Sequence, residues 1–282
     1  MHQKLKNLRS EIWDNGLISE WVSRSDTECL VYTSGPYIMF IWGRKGRSYE
    51  AEAQRCFRIL EFLGVPPGFT VHWWAIPADR ITEAGKFPTR AEVNGGWAYR
   101  ARPAIWVFRE EEWDRVVIHE CVHALDWDVH PSEQTIRCME QTLQGDITDA
   151  LFEAATELNA EWLWCVIHSP DDDDEGRTWI AQCRWMMSQA AAIILRQGER
   201  PWEEDTSVFA YYVLKAALAL EMENFMIGWL SGTLDTEEWC DYWRSHQKAF
   251  YHNAQKDRRS LASAISTRMT NPILEKSSPT KD

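Results

Sequence analysis

The seven cysteines of this 282-residue chain form no C-x-x-C pair. They stand singly at Cys29, Cys56, Cys121, Cys138, Cys165, Cys183 and Cys240, an odd, scattered set that does not read as a disulfide framework and so points to a reducing compartment. No uninterrupted apolar run approaches the roughly 18 residues of a membrane-spanning helix. The opening stretch, MHQKLKNLRSEIWDNG, lacks the apolar core of a signal peptide. Basic residues are in deficit: 30 Lys and Arg stand against 43 Asp and Glu, a formal charge of -13. That balance excludes nucleic acid and anionic membrane surfaces as partners, because both require a basic face. Together these absences predict a soluble, cytoplasmic protein, or one delivered into a host cytosol or carried in a virion.

What is present is ordinary in bulk and uneven in detail. The length suits one large domain or two closely packed lobes with a real core. A hydrophobic content of 45% and a charged content of 26% are those of a globular protein. Seventeen tryptophans are many for this length, and core or rim packing is the first reading of them, an aromatic-lined cleft the second.

The first hundred residues mix strand and helix signals. Cys29 to Gly43 is a pair of β-rich runs around Ser34-Gly35-Pro36, which predicts a hairpin. Ser48 to Gly64 has helical spacing at Cys56, Ile59, Leu60 and Leu63. Phe69 to Pro77, AEVNGGWAYR and AIWVFR are strand candidates. After Arg109 the pattern turns helical, with helices expected over 131–144, 148–168, 177–197, 206–231 and 235–254. The acidic run DDDDE at Asp171 to Glu175 reads as a solvated loop. The layout is α+β: residues 1–109 as a sheet-bearing part, 110–254 as a helical part, and 255–282 as a frayed tail.

One stretch carries chemistry. VVIHECVHALDWD, Val116 to Asp128, contains His119-Glu120-x-x-His123. Positions i and i+4 share one face of a helix, so the two imidazoles converge on one point, as two ligands of a tetrahedral Zn²⁺ require. Glu120 is turned to the side, where it can take a proton from a metal-activated water. A random H-E-x-x-H arises in roughly a few per cent of chains this long and this rich in histidine, so a third ligand matters. Position 126 is Asp126 and position 129 is Val129, which excludes the continuation H-x-x-G-x-x-H. Downstream, LFEAATELNAEWLW supplies Glu153, Glu157 and Glu161, recurring every four residues along one helical face. Three carboxylates on a largely buried helix require something positive to meet them. Cys121 points away from the histidines and reads as a buried thiol.

His119-Glu120-x-x-His123 followed by FEAATE resembles the gluzincin metallopeptidases, the thermolysin-like group, over about forty residues, 116 to 161. The resemblance implies a zincin-like fold, one zinc ion per chain, and a peptide or protein substrate. Residue by residue, it makes Glu153 the zinc-ligating glutamate and Glu157 the acid that hydrogen-bonds a ligating histidine. Glu157 stands where thermolysin has an aspartate. A register slipped by one turn, with Glu157 as ligand and Glu161 beside it, stays open. Glu120 becomes the general base. The segment VNGGWAYRARPAIWVFREEEW is similar in layout to the strand that precedes the active helix in that group, where an edge strand pairs with extended substrate; Asn94, Gly95 and Gly96 allow close backbone approach. The run from VNGG to HE also resembles predicted metallopeptidases of large DNA viruses and microbial eukaryotes. For the developing oxyanion the sequence offers Tyr211 and Tyr212, with His168 and His252 as alternatives; Tyr212 is selected. Two other readings stay open at this level: a catalytically silent zincin-like structural or interaction protein, and a metal-free helical protein whose histidines pair with Glu153 and Glu157.

Overall fold

The computed structural model describes residues 16–143, 151–169, 172–198, 202, 204–256 and 265–271. Along the chain run α1 (Leu17–Ser23), β1 (Thr27–Ser34), β2 (Tyr37–Arg44), α2 (Glu50–Phe62), β3 (Thr70–Trp74), β4 (Ile81–Thr82), α3 (Arg90–Val93), β5 (Gly96–Ala98) and β6 (Ala104–Val107). Then come α4 (Trp113–Ala124), α5 (Glu133–Leu143), α6 (Leu151–His168), α7 (Asp172–Gln197), a π-helix (Phe209–Leu214), α8 (Lys215–Leu220), α9 (Met222–Ser231), α10 (Trp239–Lys256) and β7 (Ile265–Ser266). The architecture is α+β, with sheet early and helices late. It divides into two compact units: the chain up to Asp79 with Val93–Trp127, and Arg80–Glu92 with the chain from Asp128. The boundary expected at 109/110 is displaced, because α4 packs on β5 and β6 and so belongs with the sheet.

In the sheet unit the strand order is β1-β2-β3-β6-β5. The expected hairpin is there: β1 and β2 pair antiparallel, closing at Ser34 opposite Tyr37, with Gly35 at φ +53°. β3 then joins β2 and β6 joins β3 in parallel, while β5 returns antiparallel along β6. Period-2 alternation sorts the side chains. Met39, Ile41, Val71, Trp73, Ile105 and Val107 are buried on one face, where Trp73 stacks on Trp113 of α4 at 4.8 Å. Burying each such side chain contributes about 1.5–3 kcal/mol. On the other face Phe40, His72, Trp106 and Trp97 stack across four strands, centroids 5.0, 5.7 and 5.8 Å apart and rings within 7° of parallel. Ile18 and Trp21 of α1 pack against this face at Trp74 and Trp97. The tryptophan surplus is thus used, in this unit, for packing. AEVNGG is not strand throughout: Arg90–Val93 is one helical turn and β5 starts only at Gly96.

In the second unit, Cys138 of α5 and Cys240 of α10 form a disulfide. This corrects the expectation of unpaired thiols and removes the cysteine argument for a reducing compartment. Of the acidic run expected as a loop, Asp171 lies outside the described residues and Asp172–Glu175 is helical backbone at the start of α7. The helix expected over 206–231 is three pieces, because a π-turn at Phe209–Leu214 and a break at Glu221 interrupt its period. Within the stretch expected as a tail, β7 pairs antiparallel with β4. The residues after it are held by their carbonyls: Trp185 donates to Arg268, Gln182 to Met269, and Tyr212 to Thr267. Among the described residues, no helix is long and apolar enough to cross a membrane.

Candidate metal centre

Helix α4 is the platform. Every residue from Trp113 to Val122 is buried, including the polar Asp114, Arg115, His119 and Glu120. Asp114 is met by Arg55 at 3.1 Å. The helix stops abruptly after the motif: the Asp126 N–H bonds the His123 carbonyl and the Trp127 N–H bonds the Val122 carbonyl, with Asp126 left-handed at φ +61°. That is a Schellman ending in which an aspartate takes the place usually given to glycine. Asp126 also pairs with Arg100, so its carboxylate is engaged there.

One turn of this helix brings His119 and His123 together. Their Nε2 atoms lie 3.0 Å apart, with ring planes at 81°. Two nitrogens bound to one tetrahedral zinc at the usual 2.0–2.1 Å stand about 3.3 Å apart, so this convergence suits a shared ion with little adjustment. Glu120, 4% exposed, brings a carboxylate oxygen into a cluster in which all ligand atoms lie within 4.8 Å of one another. A donor set of two imidazoles and a carboxylate fits zinc better than a hard cation such as Ca²⁺, which takes oxygen alone. Cys121 is fully buried, and burial first, then Cys56 and Glu120 nearby, raise its thiol well above the ordinary cysteine range. It is a buried thiol, as its place on the helix predicts, and the cluster of candidate ligands is His119, Glu120 and His123.

The carboxylates of α6 belong to the second unit. Glu153 is half-buried in the first turn of α6, whereas Glu157 and Glu161 are buried. What meets the latter two is Lys215, itself fully buried, at 3.6 Å from Glu157 and 3.0 Å from Glu161. Gln182 donates to the other oxygen of Glu161 at 2.8 Å. Both oxygens of Glu161 are therefore engaged in a structural cluster, which disfavours the slipped register. Lys215 was missed by motif reasoning, yet a signal existed: it is the only charged residue in Phe209–Leu220 (FAYYVLKAALAL), and a lone charge in a buried apolar run must have a partner. With Lys215 present, buried acids on α6 no longer argue by themselves for a metal.

Of the oxyanion candidates, Tyr212 is 1% exposed and its hydroxyl donates to the Thr267 carbonyl at 2.7 Å. Tyr211, its neighbour, is half-buried. His168 has its Nδ1 2.8 Å from the Trp164 carbonyl, one turn back in α6. Asp128 accepts from Thr156 of α6 at 2.8 Å.

No family model matches the chain. No curated protein matches it either. Among solved structures it is similar to an aminopeptidase N family protein from Idiomarina loihiensis, at a TM-score of 0.36 and 11% identity, over 80% of this chain and 42% of that one. The chain thus spans less than half the length of that protein.

Proposed function

We propose that the chain is a zinc-dependent peptidase. The observation that carries this reading is the pair of Nε2 atoms 3.0 Å apart on a buried helix, with the Glu120 carboxylate between them in sequence and beside them in space. His119 and His123 hold the ion in this reading, and Glu153 is the third ligand on the strength of the gluzincin-like spacing. A zinc ion in such a donor set supplies Lewis acidity that lowers the pKa of water toward 7 and polarises a carbonyl. Glu120 accepts the proton of the attacking water and returns it to the leaving amine nitrogen. Glu157 holds the ring of a ligating histidine in its orientation. The Tyr212 hydroxyl already donates to the Thr267 carbonyl, which weighs against Tyr212 as the group that stabilises the oxyanion. The substrate is a peptide or protein.

The test combines zinc stoichiometry with cleavage of a quenched-fluorescence library of random peptides. Wild type should carry one zinc per chain, Glu153→Ala should lose it, and Glu120→Gln should keep it while losing cleavage by about a thousandfold or more, the scale of general-base catalysis plus lost water activation. Full zinc in Glu153→Ala would remove the third-ligand assignment. A zinc-loaded wild type that cleaves nothing would favour the silent zincin-like protein, and no zinc at all would favour the metal-free helix pair.

A further inference from the structure

Several of the glycines are explained by a left-handed φ; Gly96 is not among them. Its backbone is one that any residue adopts, so its lack of a side chain has to be explained by what lies next to it. A Cβ there would sit 2.6 Å from the Trp106 carbonyl oxygen, 2.8 Å from Oε1 of Glu120 and 2.9 Å from a γ-methyl of Val116. Glycines 43 and 228 are also tight, but against Tyr49 and Leu234, which have no part in the centre. At Gly96 the strand lies directly on the carboxylate with nothing but a hydrogen atom between.

The approach is fixed from three directions. Gly96 pairs with Val107 across the β5–β6 ladder. Just before it, the Phe108 N–H donates to the Gly95 carbonyl at 2.9 Å, and Nε of Arg109 donates to the Asn94 carbonyl at 2.8 Å. Arg109 is 1% exposed and cannot swing aside. On the helix side, Val116 and Glu120 are one turn apart and together form the surface on which β5 rests. The wall beside Glu120 is therefore main chain anchored by hydrogen bonds, stiffer than any side chain that could stand there.

We propose that Gly96 is a positioning residue for Glu120: by bringing the β5 backbone into contact with the carboxylate, it fixes the direction in which that group presents its oxygens. The functional part of this inference rests on the peptidase reading; the contact itself does not. A methyl group at this position must either lift β5 from β6 and α4 or turn Glu120 away. Displacement of a reacting group by about 1 Å costs on the order of a hundredfold in rate.

The test is a cycle of four full-length proteins: wild type, Gly96→Ala, Glu120→Ala and the double variant. Melting of the chelator-treated chains reads the contact without reference to activity. Gly96→Ala should lower the melting temperature by about 4 °C in wild type, and by about half as much where Glu120 has been shortened. Equal losses in both backgrounds would show that only Trp106 and Val116 feel the methyl group, and would overturn the proposal. On the zinc-loaded chain with the same peptide library, Gly96→Ala should cut kcat about a hundredfold with KM within threefold and zinc still at one per chain. Unchanged kcat beside a coupled melting effect would keep the contact and reject its role. A wild type without cleavage, again beside coupled melting, would take down the peptidase reading and leave Gly96 as the residue that places Glu120.

Discussion

In the sheet unit the buried polar groups are met chiefly by main chain: Arg109 donates to the carbonyls of Asn94 and Ala78, Trp73 donates to the carbonyl of Arg109, and Glu120 lies against the backbone at Gly96. The helical unit has main-chain partners too, for Tyr212 and Gln182 among others, but its buried charges are met by one another, Lys215 with Glu157 and Glu161, with Gln182 also donating to Glu161. A main-chain partner comes with the fold and no single substitution deletes it. A cluster of opposite charges is only as durable as its least replaceable member, and here that member is one lysine serving two acids.

The sharpest way to break this contrast is Lys215→Met, which leaves two acids buried without their cation. It should cost the helical unit about 3–5 kcal/mol, seen as accelerated amide exchange in α6 and α7 with β1 to β3 unchanged. Restoring a neutral cluster with Glu161→Gln in the same chain should recover part of that loss. Next in size is the covalent tie. Replacing Cys138 and Cys240 together with serine should lower stability by about 2–4 kcal/mol, the usual worth of closing a long loop, read from the denaturant midpoint; an unchanged midpoint would show that the bridge constrains nothing.

The smallest expected effect concerns pH, and the two units should answer in opposite directions. His72 is sandwiched between Phe40 and Trp106, and burial lowers its pKa from 6.5 to about 4. The folded chain resists its protonation, so stability is full above pH 6.5 and falls as pH drops from there toward 4, by about 2 kcal/mol after allowance for the ring's partial exposure. His72→Phe should flatten that acid limb. Glu204, whose carboxylate accepts from the Trp202 indole and the Phe209 N–H, is raised by burial from 4.5 to about 7. Its contribution is full below pH 4.5 and is lost as pH rises through 7. Unit-resolved exchange between pH 4.5 and 6.5 should therefore show the sheet unit gaining and the helical unit losing protection as pH rises. Parallel slopes would reject both assignments.

Much of this was legible in the residues. The hairpin at Ser34-Gly35-Pro36, the helix ending before Gly64 and the motif helix all follow from local signals that tertiary structure leaves alone. The convergence of His119 and His123 follows from helical geometry by itself. The failures have a common cause in long-range partners. Nothing near Cys138 points to Cys240, 102 positions away. The pair Tyr211 and Tyr212 cannot be sorted by an α-helical period when the backbone there is a π-helix, and the three acids of α6 read as a demand for zinc because nothing near them in sequence points to Lys215 as the cation that meets two of them. Gly96, with Asn94 and Gly95, reads in sequence as room for a close backbone approach; only the distance to Glu120 shows what that backbone approaches.

The short strand β7 has a consequence for biosynthesis. Its partner, β4, is made first, and then waits for helices α3 to α10 to be made before Ile81 can find Ser266. Until then Tyr212, Trp185 and Gln182 have no carbonyls of 267–269 to bind, so the helices cannot reach their final packing one by one. The late-made strap acts as the closing stitch, and synthesis of residues 265–269, not helix formation, sets the earliest moment at which that half of the molecule is finished.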